Sequence, residues 1–184
     1  LTISLTMAQT ITWDDEYKNN NLVTNSTEPQ NDFKKFVKYL RKTEGIKIED
    51  LNVLDLGSGT GKNSIFLSER GATTTGLEIS ETAIQLAKER SEAANLQNTT
   101  FIKQSFGEVF PCKDNSFDLV LDIMSSNSLT ESERELYLKE VARILKPGGF
   151  FFVRLLALDG DKHAHALLRD HSGAEAGTYI LPEV

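Results

Sequence analysis

The sequence predicts an α/β fold, with one domain built on a doubly wound, mostly parallel sheet and helices on both faces. Two observations carry this prediction. Short apolar runs alternate with helix-length segments along most of the chain, and a turn with three alternating glycines follows the first run. Strands that alternate with helices form right-handed βαβ units, which place helices on both faces of a parallel sheet.

An N-terminal extension and one helix are predicted before the first strand. Residues 1–31 are predicted to form an N-terminal extension, and residues 32–184 the α/β domain itself. The extension holds a short helical segment around Trp13 and Tyr17, followed by an Asn-, Ser- and Thr-rich stretch, residues 18–32, that is typical of a mobile linker. Apolar side chains at the spacing of one helix face come next: Phe33, Phe36, Val37 and Leu40.

Five strands and three helices are predicted after this helix. The strands are residues 52–56, 72–77, 99–103, 117–123 and 150–158. The helices run from the glycine turn to about residue 70, from Ser80 to about residue 95, and from Thr130 to about residue 145. Thr130 and Glu133 fit a capping box at the start of the last helix. Residues 146–149, Lys-Pro-Gly-Gly, are predicted to form a turn, and Asp118 to have a structural role at the start of the fourth strand.

The composition narrows the classes of partner. The chain has 184 residues and a net charge of −7, and no run of clustered Lys and Arg occurs, so a nucleic-acid partner is not expected. Cys112 is the only cysteine, which rules out an internal disulfide and favours a reducing, cytoplasmic setting. No apolar run reaches the ~20 residues that cross a bilayer, so no membrane partner is expected.

The most informative stretch is residues 53–61, VLDLGSGTG. A strand runs directly into Gly57, Gly59 and Gly61, and a helix begins behind them. Glycines at such a turn let the backbone bend tightly and let a ligand approach the main chain. Glu78 follows the second strand, 23 residues after Asp55, where a carboxylate can accept hydrogen bonds from both hydroxyls of a ribose.

Together with the later segments, these residues resemble the class I S-adenosylmethionine-dependent methyltransferases, a Rossmann-like family. VLDLGSGTG resembles the first motif of that family, GLEIS the second, FDLVLDI the fourth, and LKPGGFFFV the segment that leads into the fifth strand. The resemblance covers about residues 33–158. It implies S-adenosylmethionine as cofactor and methyl transfer by in-line displacement, and it carries little information on the acceptor.

The resemblance also implies a set of cofactor-binding residues. Glu78 would hold the ribose and Ile79 would pack against the adenine. The family usually has an Asp after the third strand that contacts the adenine amino group. This sequence instead has Gln104 followed by Ser105 and Phe106. Ser105 is the candidate for a hydrogen bond to the adenine, and Phe106 is the candidate for packing against its ring. The residues that would frame the methionine part are Asp55, Gly57, Gly59 and Gly61, and Ser58 between them is also expected to bind the cofactor.

The methyl group is expected near the end of the fourth strand, around residues 122–127. Asp122 is the candidate for orienting or deprotonating a substrate. The alternative is that its carboxylate positions the cofactor amino group or caps a turn. Ser125 and Asn127 are candidate substrate contacts, or plain loop residues. The Asn/Asp-Pro-Pro-aromatic signature of enzymes that methylate nucleic-acid amino groups does not occur here, which disfavours a DNA base as acceptor.

The chain ends offer further candidates. In many family members an N-terminal segment closes over the site, so Trp13 and Tyr17 are predicted to belong to a lid or, alternatively, to dock a terminal helix on the core. The cluster of two acids and two histidines in residues 159–165 is interpreted as a substrate-facing loop rather than a metal site, because side chains at i and i+2 of a helix diverge.

The family's sheet usually ends in an antiparallel hairpin beside the fifth strand, and this chain stops soon after that strand. Unpaired sheet edges invite pairing with another chain. The sequence therefore predicts either a truncated domain or a homodimer formed through the fifth-strand edge.

Three functions remain open after this reading. The leading one is methyl transfer to a small-molecule acceptor. A nicotinamide-dependent oxidoreductase shares the strand, glycines and distal acid, although its G-x-G-x-x-G spacing differs from the spacing here. A cofactor-binding module without turnover is the third, and aminopropyl transfer on the same fold is more remote.

Overall fold

Five parallel strands form the centre of the molecule, in a computed structural model that describes residues 5–19, 26–155 and 169. In chain order, the strands are β1 (Asn52–Leu56), β2 (Thr73–Glu78), β3 (Thr99–Lys103), β4 (Phe117–Ile123) and β5 (Leu145–Arg154). The helices are α1 (Leu5–Asn19), α2 (Asn31–Lys42), α3 (Lys62–Ser68), α4 (Glu81–Ala93) and α5 (Glu131–Ile144). Short 3₁₀ turns cover Ile48–Asp50 and Ser126–Ser128.

The strand order is β3-β2-β1-β4-β5, and each neighbouring pair is parallel. Successive strands step outward from β1 to β3, and the chain then crosses back to place β4 on the other side of β1. The strand order reverses there, and ligands of open parallel sheets bind beyond the carboxyl ends of strands at such a switch point. The predicted doubly wound α/β fold is confirmed.

Alternating side chains of the central strands pack into two separate hydrophobic cores, one on each face of the sheet. On β4, Val120 packs with residues of α5, while Leu119 and Leu121 pack with residues of α2. All three are 0% exposed. Strands covered on both faces in this way are typical of parallel sheets.

Helix α2 covers one face with aromatic contacts. The rings of Phe33 and Phe152 are 5.5 Å apart, and those of Phe36 and Phe152 are 4.6 Å apart and stacked. Phe33, Val37 and Leu40 are at most 4% exposed. The predicted helix face is confirmed, and the chain turns away at Gly45, whose φ is +69°.

Local signals fix the starts of α4 and α5. The Ser80 hydroxyl accepts a hydrogen bond from Ala83 N. Thr130 Oγ1 accepts from Glu133 N, while Glu133 Oε2 accepts from Thr130 N at 2.8 Å. The predicted capping box is therefore present, and each of its bonds satisfies a backbone group that the helix leaves unpaired. Asp118 also has its predicted structural role, since its carboxylate accepts from Asn52 N and from Lys146 Nζ.

The fifth strand differs from the prediction. It begins at Leu145 rather than at residue 150, and residues 146–149 form a bulge within it instead of a turn before it. Phe117 lies opposite Leu145 and Leu119 opposite Phe150, so one residue of β4 faces four of β5. Gly148 permits this with φ +79°. The strand ends at Arg154, and residues 156–158 of the predicted strand lie outside the described part of the chain.

The N-terminal extension also differs. Helix α1 spans Leu5–Asn19 and not only the segment around Trp13 and Tyr17. The predicted linker is shorter than residues 18–32, because α1 takes its first two residues and α2 begins at Asn31.

Two expectations about partners stay predictions. Within residues 5–19 and 26–155, β5 pairs with β4 on one side and with no strand on the other, which leaves the truncated domain and the homodimer as alternatives. A search of the described helices finds none with the length and apolar character needed to cross a membrane.

Candidate functional site

The carboxyl ends of β1, β2 and β4 meet at one edge of the sheet, since Leu56 lies beside Leu77 on one side and Asp122 on the other. The glycine turn (residues 57–61) caps this edge. Gly57, Gly59 and Gly61 have φ of +65°, +54° and +80°, in the left-handed region of the backbone that residues other than glycine rarely adopt. The chain therefore requires glycine at these three positions.

Glu78 at the end of β2 is tied to the glycine turn. Its Oε2 accepts a hydrogen bond from Gly59 N at 2.9 Å, and its Oε1 accepts from Ile79 N and Ser80 N at 2.8 and 2.9 Å. The residue is 5% exposed, and this burial raises its pKa, although the three N–H donors oppose the shift. The predicted ribose acid and the predicted turn thus form one unit.

Asp55, two residues before the turn, is the second buried carboxylate of the site. It is 1% exposed, and its Oδ2 accepts a hydrogen bond from the Ser64 hydroxyl at 2.8 Å. Burial raises the pKa of Asp55 to about 7, which the hydrogen bonds from Ser64 oppose. This shift places the change of charge of Asp55 near neutral pH.

Two buried polar atoms beside the glycine turn have no hydrogen-bond partner among the described residues, Ser58 Oγ and Asn63 Oδ1. Buried polar groups of folded proteins are nearly always satisfied. The Ser58 hydroxyl lies against β2, where a Cβ added to Gly76 would come within 2.5 Å of it. Asn63, on the first turn of α3, is a polar group of the site that the sequence analysis did not single out.

Helix α1 lies against the glycine turn, a contact that both the lid and the docked terminal helix predict. A Cβ added to Gly59 would come within 2.6 Å of the Tyr17 hydroxyl. Burial, followed by the negative charge of Glu78, raises the pKa of Tyr17 above its ordinary value near 10. Trp13, the other predicted lid residue, is half-buried, and its role against a ligand stays a prediction.

Asp14 docks α1 on the sheet domain. Its Oδ1 accepts hydrogen bonds from the Ser80 hydroxyl and, at 3.1 Å, from Thr82 N. A carboxylate at that place caps α4 and lies at the positive end of the helix dipole. The sequence analysis missed this residue, because only the fold brings it to α4, 66 residues further along the chain.

Asp122 at the end of β4 is 0% exposed and held on both carboxylate oxygens. Tyr137 Oη donates to its Oδ2 at 2.6 Å, while Ser125 N and Ser126 N donate to its Oδ1 at 3.1 and 3.2 Å. These contacts are those of the alternative in which the carboxylate caps a turn. A role in deprotonating a substrate stays a prediction.

The turn after β4 lies against the glycine turn. The Ser125 hydroxyl donates to Gly57 O at 3.3 Å. Asn127 lies in the 3₁₀ turn Ser126–Ser128, directly after Ser125, and is half-buried. Their contact with a substrate stays a prediction.

The candidate adenine contacts lie near the same edge. Ser105 Oγ accepts from Gly107 N at 3.2 Å and so caps its own loop. Phe106 is 8% exposed, and its ring packs against Tyr137 with centroids 6.0 Å apart. Ile79 is half-buried after Glu78. Contact of Ser105, Phe106 and Ile79 with adenine stays a prediction.

In the described residues, no group of three His, Cys, Asp or Glu side chains is placed to hold a metal ion. The acid and histidine cluster of residues 159–165 lies outside the described residues, and its interpretation as a substrate-facing loop stays a prediction.

The sequence and the fold resemble those of known proteins. A family model described as a methyltransferase domain matches residues 53–149, just over half of the chain. The fatty-acid O-methyltransferase of Mycolicibacterium smegmatis is 35% identical over 106 residues, which are 56% of this chain and 36% of that protein. The ubiquinone/menaquinone biosynthesis C-methyltransferase of Pseudoalteromonas translucida is 33% identical over 121 residues, which are 64% of this chain and 45% of that protein. The chain thus spans less than half the length of either relative.

A solved structure agrees with these relatives. The SAM-dependent methyltransferase of Methanosarcina mazei is 32% identical and superimposes with a TM-score of 0.52. The aligned region covers 56% of this chain and 51% of that chain. The matched family segment contains the glycine turn, Glu78 and Asp122. The chain therefore belongs to the class I S-adenosylmethionine-dependent methyltransferases.

Proposed function

We propose that this chain binds S-adenosylmethionine at the glycine turn and transfers the methyl group to a small-molecule acceptor by in-line displacement. One observation carries the proposal. The buried carboxylate of Glu78 accepts a hydrogen bond from Gly59 N, so an acid suited to a ribose and a backbone suited to close approach share one edge of the sheet.

The residues present fit the cofactor. Gly57, Gly59 and Gly61 have positive φ and leave three positions of the turn without a Cβ. Asn63 offers a buried amide oxygen without a partner among the described residues. Glu78 has three N–H donors on two oxygens, and a carboxylate can accept about four hydrogen bonds, so it retains capacity for a hydroxyl. Asp55 supplies a second carboxylate at the end of β1 for the cationic methionine part.

The chemistry needs little from the protein beyond placement. When bound, the sulfonium supplies an activated methyl group, and positioning with exclusion of water can provide much of the acceleration. Glu78 and the glycine turn would bind and orient one end. Tyr17, on the docked helix α1, would shield the site from water. Asp122 is fully buried and bonded on both oxygens, which favours a positioning role over that of a general base.

The relatives support a small molecule as acceptor without choosing the acceptor atom. One is named for a fatty acid and O-methylation, the other for a quinone pathway and C-methylation. The chain covers less than half of each relative. A cofactor-binding module without turnover remains the second candidate, favoured by the Gln104-Ser105-Phe106 sequence where the family usually has an acid. We also propose a cytoplasmic location, supported by the single free thiol of Cys112.

Calorimetric titration tests the cofactor. We expect S-adenosylmethionine and S-adenosylhomocysteine to bind with micromolar affinity and NAD not to bind. Glu78→Ala should abolish binding, because it removes the acceptor for the ribose and for Gly59 N. The matched control is Glu81→Ala, an exposed acid three residues further on whose only described partner is Lys103. Binding of NAD alone, or equal loss in both variants, would contradict the proposal.

A second step separates the enzyme from the module. The cofactor with a labelled methyl group is incubated with candidate acids, phenols and quinols, and label is sought in the organic phase. Cofactor binding without transfer to any acceptor by the full-length protein would favour the module.

A further inference from the structure

We propose that Tyr137 is a positioning residue which, through Asp122, holds the turn after β4 against the glycine turn and so shapes the methyl-transfer end of the cofactor pocket. This inference rests on the proposed function, since it concerns the same site. The β4 turn is defined here as residues 124–128, between β4 and α5.

Asp122 connects Tyr137 to the β4 turn. Tyr137 lies on α5 and is 4% exposed, and its hydroxyl donates to one carboxylate oxygen of Asp122 at 2.6 Å. The other oxygen accepts from Ser125 N and Ser126 N. A single buried carboxylate thus joins a helix to the backbone of the turn. Hydrogen bonds to a charged group are among the stronger ones in proteins.

The hydroxyl of Tyr137 is a permanent donor in this arrangement. Burial, followed by the negative charge of Asp122, raises the pKa of Tyr137 above its ordinary value near 10. The hydroxyl therefore keeps its proton throughout the physiological pH range and remains a hydrogen-bond donor.

The turn that this carboxylate holds contains a strained residue. Met124 has φ +67°, a left-handed conformation that is unfavourable for any residue with a Cβ. Residues in such conformations persist only when surrounding contacts over-determine them, and they cluster at functional sites. The contacts here are the two N–H bonds to Asp122 and a bond from Met124 N to Arg154 O at 2.8 Å.

The β4 turn contacts the glycine turn. The Ser125 hydroxyl donates to Gly57 O, and a Cβ added to Gly57 would come within 2.5 Å of Ser125 Cβ. A movement of the β4 turn therefore changes the space directly above Gly57. Tyr137 acts on that space from α5 without touching it.

The experiment uses Tyr137→Phe, Met124→Gly and the double variant in the full chain. Glycine adopts positive φ at no steric cost, so Met124→Gly stabilises the turn without help from Asp122. Tyr39→Phe is the matched control, because Tyr39 is an exposed tyrosine of α2 whose hydroxyl bonds Glu44. Two quantities are measured, namely amide hydrogen exchange of Ser125 and Ser126 in the ligand-free protein, and affinity for S-adenosylhomocysteine by calorimetry.

In Tyr137→Phe we expect exchange of both amides to accelerate at least tenfold, while amides in α4 stay unchanged. The affinity should fall about tenfold, the scale of one hydrogen bond to a charged group. Adding Met124→Gly should restore both quantities to within about threefold of wild type, which a purely space-filling role of Tyr137 would not predict. Tyr39→Phe should match wild type in both measurements.

Wild-type exchange rates in Tyr137→Phe, or no rescue by Met124→Gly, would overturn the inference. If Tyr137→Phe does not fold, Asp122→Asn tests the same connection at the acceptor. Wild-type exchange rates of both amides in Asp122→Asn would likewise overturn the inference. If wild type fails to bind S-adenosylhomocysteine, the proposed function falls, and the exchange measurement alone still decides whether Tyr137 holds the turn.

Discussion

Replacing Asp55 with asparagine should change how the stability of the protein depends on pH. Asp55 is buried at the end of β1, and burial raises its pKa from 3.8 to about 7. The folded state therefore binds this proton more tightly than the unfolded chain does. Above pH 7 the carboxylate is charged, and its burial lowers the free energy of unfolding by the full amount. This destabilisation declines as the pH falls from 7 towards 3.8.

The magnitude follows from the shift. Each pH unit between the two pKa values changes the free energy of unfolding by about 1.4 kcal/mol per proton. Between pH 8 and pH 5, only the two units below pH 7 count, so the contribution of Asp55 changes by about 3 kcal/mol. Asparagine has nearly the same shape and can still accept the hydrogen bond from Ser64, but it has no charge to bury.

We expect Asp55→Asn to be more stable than wild type at pH 8, with an advantage that shrinks by about 3 kcal/mol at pH 5. Urea unfolding of both proteins at pH 5, 6, 7 and 8 measures this. Asp50→Asn, at an exposed acid near the start of β1, is the control and should stay within about 0.5 kcal/mol of wild type. A difference between Asp55→Asn and wild type that is constant from pH 5 to pH 8 would refute the reasoning.

Two further predictions concern the docked helix α1. Gly59→Ala should cost about 1–2 kcal/mol of stability, because φ at this residue is +54° and the new methyl group meets the Tyr17 hydroxyl. Tyr17→Phe should recover part of that loss in urea unfolding, and no recovery would show that the two residues are not in contact. Asp14→Ala should speed proteolytic cleavage within α1, since Ser80 and Thr82 N lose their acceptor. Cleavage at the wild-type rate would contradict the docking contact.

Local patterns were enough to predict most of the sheet and the centre of the site. The bounds of β1, β3 and β4 agree with the prediction because apolar runs flanked by polar turns are local signals. The glycine turn and Glu78 follow from the spacing of one βαβ unit, and the structure joins them by a hydrogen bond.

Features that depend on distant residues were missed. The bulge of β5 at residues 146–149 arises from its register with β4, and Lys-Pro-Gly-Gly alone predicts a turn. Asp14 is one of three consecutive acids beside Trp13, and nothing in that segment distinguishes the one that caps α4. Tyr137 recurs with Val141 and Ile144 on an apolar helix face, which predicts a core residue. The bond of its hydroxyl to Asp122 appears only in the folded chain.

The way α1 attaches has a kinetic consequence. Tyr17 lies against Gly59, so a cofactor bound at the glycine turn as proposed would contact α1, and its release would require α1 to move away from Ser80 and Thr82, which Asp14 now holds. Product release in many enzymes is limited by the opening of such an element rather than by chemistry. Under the proposed function, the two hydrogen bonds to Asp14 would therefore contribute to how long the spent cofactor stays bound.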